Sequence, residues 1–379
     1  MSKRPRDLQP GSSVVQSVGR RRFIRNVGAL GLGAATGAAQ APAWSQAAPA
    51  VARGATLTVS TWGGVMQDGV KNHLAPEFEK QTGAKLAYDI GGQGARYNKL
   101  LAQRASPPAD VFFSNDEAVV AGFRAGIFQP ARRRNVPLVA DVHAWAATVK
   151  DHDTAETIPG VPFTLISYVL AFNPAAVKNK PTGWADMWRP EFRGKFALAA
   201  PVHSQMPAFV IVAAELAGGS ATDVGPGFKK LAELKPSKLT VFWTDWAPLN
   251  KTGEVILATE FDYYLETMKA QKYPIDYIVP KDKGMAVPEY VTIVKGTKYP
   301  ELAEVFLNLM LSAKVQEALA IESYMGPTSK KVSLSGEAAE RCAYGAKVDQ
   351  LRFFDPRLFV DNRAVWTERL NTEVVPHWR

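Results

Sequence analysis

The sequence has a single cysteine, Cys342, in 379 residues. One thiol cannot form a disulfide within the chain, and it cannot supply a cysteine cluster for a metal ion. Histidine is also scarce. The chain has five, none at the spacing of a zinc site: His73, His143, His152, His203 and His377. These absences exclude a disulfide-rich protein and give no support to a zinc enzyme.

Motifs of common enzyme sites are missing as well. The sequence contains no Gly-x-Ser-x-Gly elbow, no phosphate-binding P-loop and no His-Glu-x-x-His helix. A glycine-rich loop at residues 91–94 precedes a predicted helix, but no Lys-Ser or Lys-Thr pair follows it, so we interpret it as a surface turn. The missing motifs favour a binding protein over an enzyme.

Strong hydrophobicity is missing from the N-terminal segment. Residues 27–39 are apolar but rich in glycine and alanine, and a membrane-spanning helix needs about 20 strongly apolar residues. Arg20, Arg21 and Phe23 precede them in the pattern of a twin-arginine signal, and small residues suited to cleavage follow. We interpret residues 1–47 as a cleaved signal peptide that directs the protein through the twin-arginine machinery to the periplasm.

The net charge of +9 gives little support to a nucleic-acid partner. Removing residues 1–47 takes away seven basic residues and one acidic residue, which leaves 38 basic and 35 acidic residues and a net charge of +3. Most of the basicity therefore belongs to the predicted signal peptide. The mature chain has no excess of positive charge of the kind that binds nucleic acid.

Strand-like and helix-like segments alternate through the mature chain. Residues 57–61, 85–90 and 110–114 have the composition of buried strands, and helical spacing of apolar residues separates them. This alternation predicts α/β units with parallel strands. A second set of such elements follows, and the chain crosses between the two halves near residues 163–173 and again near 286–292.

Aromatic and polar residues recur where predicted strands end. In an open α/β sheet, ligands bind beyond the carboxyl ends of the strands. Aromatic faces beside carboxylates suit a cationic ligand, which gains from cation–π and charge-assisted contacts. The candidate binding residues are Trp62, Ser114, Asn115, Asp116, Trp243, Asp245, Phe261, Asp262 and Glu289.

The mature chain resembles the extracellular solute-binding proteins of ABC importers, in particular the spermidine/putrescine-binding group. The most specific segment is 183–195, where Trp184, Asp186 and Trp188 open a stretch with the group's Trp-Ala-Asp-Leu-Trp, Pro, Glu, aromatic, basic, Gly pattern. Weaker similarity occurs in supporting segments at residues 109–111, 252–255, 299–311 and 326–328. The two tryptophans, four residues apart, also suit packing on one helix face.

The resemblance implies a type II periplasmic-binding-protein fold, in which two α/β lobes joined by a two-strand hinge close on a solute. Trp62 falls where the polyamine binders place a stacking aromatic residue, and Glu289 falls near their amine-binding aspartate. Asp116 and Asp245 fall in loops that line the cleft. The predicted boundaries are 1–47 for the signal peptide, 54–162 with 292–335 for lobe 1, 163–291 for lobe 2, and 336–379 for a C-terminal helical extension.

The resemblance also implies a function and partners. The expected protein is a non-catalytic monomer without a cofactor that captures a small cationic solute, such as a polyamine. It delivers that solute to an ABC permease and ATPase of the inner membrane. An exported α/β enzyme and a periplasmic sensor or scaffold of the same fold are the alternatives.

The sequence departs from the polyamine-binding pattern at several positions. Gly64 stands where an acidic residue is expected after Trp62. Pro201, His203 and Ser204 replace an acidic pair of the second lobe, and Val287 replaces an aromatic residue.

A related branch binds ferric iron through adjacent tyrosines, and Tyr263 and Tyr264 stand about where that pair would be. Phenolates bind a hard cation well, but the loop after the first strand has no histidine to complete the metal shell. We expect alternation along one element to direct only one of the two tyrosines into the cleft, so packing is the preferred interpretation of the pair.

Overall fold

The computed structural model describes residues 54–378. The predicted signal peptide, with Arg20, Arg21 and Phe23, lies outside the described residues. In the described part of the chain, no helix combines the length and the apolar character that crossing a bilayer requires.

The strands are short except for two near the middle of the sheet. They are β1 (Thr56–Thr61), β2 (Lys85–Ile90), β3 (Val111–Asn115), β4 (Phe128–Gln129), β5 (Ala131–Arg132), β6 (Thr157–Ile158), β7 (Val161–Phe172), β8 (Phe196–Ala199), β9 (Lys238–Thr240), β10 (Leu257–Phe261), β11 (Asp276–Ile278), β12 (Gly284–Val294), β13 (Gly326–Pro327) and β14 (Leu351–Arg352).

Helices connect most of the strands. They are α1 (Val65–Gly69), α2 (Ala75–Thr82), α3 (Gln93–Ala102), α4 (Asp116–Arg124), α5 (Met206–Leu216), α6 (Gly225–Ala232), α7 (Ala247–Thr252), α8 (Asp262–Ala270), α9 (Pro300–Met310), α10 (Ala313–Ser323), α11 (Gly336–Arg341), α12 (Pro356–Arg369) and α13 (Val375–Trp378). Single π-helical turns, Val70–Leu74 and Leu370–Val374, join α1 to α2 and α12 to α13.

The main sheet is built from two parallel halves around an antiparallel centre. Its strand order is β2-β1-β3-β12-β7-β10-β8-β9. On one side β1 pairs in parallel with β2 and β3, and on the other side β8 pairs in parallel with β9 and β10. Between these halves, β12 and β7 run antiparallel to each other and to their outer neighbours. The predicted α/β class is confirmed.

Two large hydrophobic cores lie on the two sides of this central pair. The first core uses side chains from residues 55–166 and 287–325, and the second uses residues 168–285 and 359–378. We call the parts of the molecule around them the first lobe and the second lobe. The chain passes from one core to the other inside β7, between Ile166 and Tyr168, and again inside β12, between Met285 and Val287. The predicted boundaries at residues 163 and 291 fall within these strands.

Strands β7 and β12 are buried along their whole length. A strand covered on both faces must satisfy its backbone hydrogen bonds inside the sheet, and the long antiparallel pairing does so. The register shifts between Glu289 and Tyr290, where Phe163 of β7 is left without a partner residue. Pro162, which has no backbone N–H to donate, pairs with Tyr290 beside this bulge. A bulge re-aims the side chains next to it.

The C-terminal segment is part of the second lobe rather than an appendage to it. Five of its side chains are buried in the second core: Phe359, Trp366, Leu370, Val374 and Trp378. Helix α12 also reaches the first lobe, because Arg363 pairs with Glu117 and Asp361 pairs with Arg124. The predicted extension at 336–379 is helical in part, and its helix α12 contacts both lobes.

Two local predictions were wrong. Residues 184–188 form a 3-10 turn rather than an α-helix, although Trp184 and Trp188 do pack together on Phe209, with ring centroids 5.6 and 6.4 Å from it. Residues 262–270 form helix α8, where the sequence analysis treats the tyrosine pair as part of an alternating element.

The packing of α12 predicts a large effect of Trp366→Ala. The Trp366 side chain is 5% exposed, and truncating a buried tryptophan removes its packing and leaves a cavity. We expect the free energy of unfolding to fall by about 3 kcal/mol or more, measured by urea denaturation. The matched control is Val365→Ala at the neighbouring position, where the side chain is 57% exposed and a change of less than about 0.5 kcal/mol is expected. Equal effects of the two substitutions would contradict the assignment of α12 to the second core.

Candidate functional site

A cavity of about 240 Å³ lies between the two lobes. Both lobes and both central strands contribute to its wall. Its lining residues are Trp62, Gly63, Gly64, Val65, Met66, Ile166, Trp243, Tyr263, Tyr264, Thr267, Glu289 and Met325. Of the predicted binding residues, the structure brings Trp62, Trp243 and Glu289 together here, along with the tyrosine pair of the alternative metal site.

Trp62 is held in place by a buried arginine. Trp62 follows β1, and the guanidinium carbon of Arg96, on helix α3, lies 5.0 Å from the centroid of its ring. The guanidinium donates hydrogen bonds to the backbone carbonyls of Ser60 at 3.0 Å, Gly91 at 2.8 Å and Phe113 at 3.1 Å. These carbonyls belong to or directly follow β1, β2 and β3, so Arg96 ties three neighbouring strand ends beneath the tryptophan.

Arg96 keeps its charge although it is 3% exposed. Burial lowers its pKa to about 10, and the nearby carboxylates of Asp89 and Glu289 work against this shift. The sequence analysis missed this residue. A single arginine on a predicted helix has no pattern that distinguishes a buried position from a solvated one.

The glycines after Trp62 are required by the backbone. Gly64 has φ +69° and ψ −143°, a conformation that side-chain-bearing residues rarely adopt. A Cβ at Gly63 would lie 3.1 Å from Ile90 Cγ2. The absence of an acidic residue at position 64 therefore has a structural reason: the chain makes a tight entry into α1 at the floor of the cavity.

Glu289 is the charged side chain of this cavity. It lies at the bulge of β12, is 7% exposed, and its Oε2 atom has no hydrogen-bond partner among the described residues. Burial raises the pKa of Glu289 well above its usual value, and the negative potential of Asp116 adds to the shift while Arg96 opposes it. An unpaired carboxylate oxygen costs free energy in the empty site, and a cationic donor would remove that cost.

Three aromatic side chains of the second lobe face this carboxylate across the cavity. Trp243 lies in a 3-10 turn after β9, and Tyr263 and Tyr264 open helix α8. The two tyrosine rings lie 3.9 Å apart between centroids, and Trp243 lies 6.0 Å from Tyr264. The expectation that only one tyrosine enters the cleft was wrong, because successive residues of a helix are about 100° apart rather than on opposite faces.

Three predicted residues of the second lobe do not line the cavity. The Asp262 carboxylate accepts the backbone N–H of Ser167 at 3.0 Å and so anchors α8 to β7. Asp245 Oδ2 accepts the backbone N–H groups of Val241 and Phe242 at 3.0 and 3.1 Å. Phe261 packs on Tyr168, with 5.0 Å between ring centroids, behind the tyrosine pair.

The predicted residues after β3 also lie outside the cavity. Asn115 caps helix α4 by accepting the Ala118 N–H at 3.1 Å. Asp116 Oδ2 accepts the Thr148 hydroxyl at 2.8 Å, and Ser114 is fully buried without a hydrogen-bond partner for its hydroxyl among the described residues. Asp116 therefore influences Glu289 through its charge and not through contact with a solute in this cavity.

The positions of the missing acidic pair have structural roles. His203 is buried, and its Nδ1 accepts the backbone N–H of Gln205 at 3.1 Å. Burial and the charge of Arg363 lower the pKa of His203 to about 4, so the ring is neutral at neutral pH. Pro201, Ser204 and Val287 do not line the cavity either.

Burial raises the pKa of Tyr264 to about 12 and that of Tyr263 well above its usual value. Within residues 54–378, no group of three or more histidine, cysteine, aspartate or glutamate side chains could hold a metal ion. A metal ion in this cavity would therefore depend on the two phenols and Glu289, because the described residues of the lining include no histidine.

The buried carboxyl groups predict how stability depends on pH. Burial raises the pKa of Asp116 and Glu260 to about 7, that of Asp262 to about 6, and that of Glu289 well above its usual value. In the unfolded chain these groups titrate near pH 4, so above that pH the folded state holds more protons. Stability falls with rising pH when the native state holds more protons. We expect the free energy of unfolding to drop by roughly 2 kcal/mol or more between pH 5 and pH 7.5.

Urea denaturation at the two pH values measures this change. Asp262→Asn is the matched variant, because the amide oxygen can still accept the Ser167 N–H while one titrating group is removed. This variant should lose less stability over the same pH interval. Asp186, Asp355 and Glu373, whose pKa values are lowered, change charge below this interval. His203, whose pKa is lowered to about 4, acts in the opposite direction within the interval and offsets part of the fall produced by the four carboxyl groups. Stability that rises from pH 5 to pH 7.5 would contradict the assignment of raised pKa values.

Known proteins share both the sequence pattern and the fold. The family model described as bacterial extracellular solute-binding protein matches residues 73–345. The chain is 25% identical over 307 residues to spermidine/putrescine-binding periplasmic protein 1 of Haemophilus influenzae, covering 78% of this chain and 82% of that protein. It is 24% identical over 348 residues to the gamma-aminobutyric acid-binding protein of Pseudomonas aeruginosa, covering 86% and 92%. A crystal structure of an ABC transporter protein from Clostridium perfringens superposes with a TM-score of 0.71 and 28% identity, covering 84% of this chain and 99% of that one.

Proposed function

The chain belongs to the family of bacterial extracellular solute-binding proteins, and we propose that, as the solute-binding component of an ABC importer, the protein captures a small organic cation between its two lobes. The family consists of transport proteins that deliver small solutes to an ABC permease and its ATPase. The resemblance recognised in the sequence is thereby confirmed at the level of the family. The identity of the solute has to be argued from the cavity itself.

The free Oε2 of Glu289 is the observation that carries this proposal. A buried carboxylate oxygen without a donor is costly, and an ammonium group placed beside it gains both a charge-assisted hydrogen bond and an ion pair. Trp62, Trp243, Tyr263 and Tyr264 surround the same space, and aromatic faces attract a cation through their quadrupoles. The carboxylate and the aromatic side chains therefore both favour a positively charged ligand.

The distribution of the lining residues supports a solute that bridges the lobes. Trp62 belongs to the first lobe, Trp243 and Tyr264 belong to the second, and Glu289 belongs to a central strand. A solute that contacts all of them binds more strongly when the lobes approach each other. Binding therefore shifts the population toward a closed arrangement, which is the form we propose for docking on the permease.

The proposal includes the place where the protein works. The twin-arginine pattern at Arg20, Arg21 and Phe23 supports export of the folded chain, followed by cleavage near residue 47. The Haemophilus influenzae relative is named as a periplasmic protein. We propose that the mature protein acts in the periplasm as a monomer without a cofactor.

Glu289→Gln tests the binding site. The substitution keeps the size of the side chain and removes its charge, so it converts a charge-assisted contact into a neutral one. We expect the affinity for the bound cation to fall about 10- to 100-fold. The solute is first identified by thermal shift with putrescine, spermidine, gamma-aminobutyric acid, choline and Fe(III), because a ligand that binds only the folded state raises the melting temperature. Isothermal titration calorimetry then compares the variant with the wild-type protein.

Glu254→Gln is the matched control, because it removes the same charge from an exposed position of the second lobe outside the cavity. It should leave the affinity within about twofold. Equal binding by wild-type protein and Glu289→Gln would remove Glu289 from the site. A melting temperature that no organic cation raises would refute the proposed class of solute.

A further inference from the structure

We propose that the cavity selects an ammonium ion that carries one positive charge and apolar groups on its nitrogen, such as a methylated ammonium, over diamines and polyamines. This inference deepens the proposed function and rests on it. It concerns two features: the number of positive charges that the cavity can neutralise, and the apolar and aromatic side chains that line it.

The number of carboxylates limits the charge of the solute. Among the described residues that line the cavity, Glu289 is the one acidic side chain. Asp245 and Asp262 are engaged by backbone N–H groups outside the cavity wall. A second ammonium group in this space would lose its hydration without gaining a counter-charge, and such burial is costly.

Arg96 makes the burial of a second ammonium group in the cavity still more costly. Its guanidinium lies beneath Trp62 and donates to backbone carbonyls, so its positive charge is not cancelled by a direct ion pair with Glu289. A first ammonium placed beside Glu289 is compensated by that carboxylate. A second one near Trp62 would meet the positive potential of Arg96 with no carboxylate from the lining to offset it.

The walls favour apolar groups on the charged nitrogen. A primary ammonium has three N–H donors that need acceptors when they are buried. Most of the lining offers carbon instead, from Val65, Met66, Ile166 and Met325 and from the aromatic rings. The Thr267 hydroxyl donates to the backbone carbonyl of Tyr263 at 2.9 Å, and its lone pairs are among the few side-chain acceptors of this lining.

Replacing the N–H groups with methyl groups removes the need for acceptors. It also spreads the positive charge over a surface that packs against aromatic faces. Trp243, Tyr263 and Tyr264 provide such faces in one continuous cluster. The volume of about 240 Å³ leaves room for a small ion of this kind.

Titration calorimetry with matched probes tests the charge and the methyl groups separately. Choline is compared with 3,3-dimethylbutan-1-ol, its neutral carbon isostere, and with putrescine and spermidine. We expect choline to bind, the neutral isostere to bind about tenfold or more weakly, and both polyamines to bind about tenfold or more weakly than choline. Glu289→Gln should weaken the binding of choline and leave the binding of the neutral isostere unchanged.

A pair of variants separates the aromatic ring from the hydroxyl group. Tyr264→Phe keeps the ring and Tyr264→Leu removes it, so we expect Tyr264→Leu to lower the affinity for choline about tenfold and to lower it more than Tyr264→Phe does. Circular dichroism and melting temperature confirm that both variants fold. A lower choline affinity of Tyr264→Phe than of Tyr264→Leu would show that the hydroxyl group recognises the ligand. It would overturn the argument that the aromatic rings bind the cation.

The outcomes distinguish this inference from the function on which it rests. Tighter binding of putrescine or spermidine than of choline, weakened by Glu289→Gln, would overturn the single-charge inference and leave the organic-cation function intact. Equal affinity for choline and its neutral isostere would overturn the inference as well. Failure of every cation in both sets to bind would overturn the proposed function together with the inference.

Discussion

The antiparallel pairing of β7 with β12 is the constraint on which the rest of the structure depends. These two strands are buried on both faces, so their backbone groups must find partners in each other and in the strands beside them. Each strand begins in one hydrophobic core and ends in the other, which joins the lobes through hydrogen-bonded backbone rather than through loops. The bulge in this pair places Glu289 in the wall of the cavity between the lobes.

The electrostatics of the cavity follow from two charges that are buried close to each other without forming a direct ion pair. The guanidinium N–H groups of Arg96 donate hydrogen bonds to backbone carbonyls at three strand ends. These bonds stabilise the edge of the sheet that carries Trp62. Glu289 is left with a free oxygen and a raised pKa. Burial in the empty site therefore shifts Glu289 toward its protonated form. A bound cation favours the ionised form, so cation binding and proton release are thermodynamically linked.

The sequence predicts the lobes and part of the site for clear physical reasons. Period-two and period-four patterns locate the strands and helices, and the rule that ligands bind beyond strand ends indicates Trp62 and Trp243, which line the cavity. Glu289 lies inside β12 and was indicated by the family resemblance. The same rule cannot say which way a polar side chain turns after the strand. The Asp262 carboxylate accepts the backbone N–H groups of Ser167 and Tyr263 instead of facing the cavity, and Arg96 gave no signal because its partners are backbone carbonyls from distant strands.

The packing of the last two dozen residues has a consequence for the order of folding. The first core is complete once the chain reaches Met325, whereas the second core still lacks Phe359, Trp366, Leu370, Val374 and Trp378. During synthesis these side chains emerge after the rest of the second core, so the second lobe exposes an apolar surface until they have been made. A chain that lacks them therefore displays an incomplete second core to chaperones and proteases.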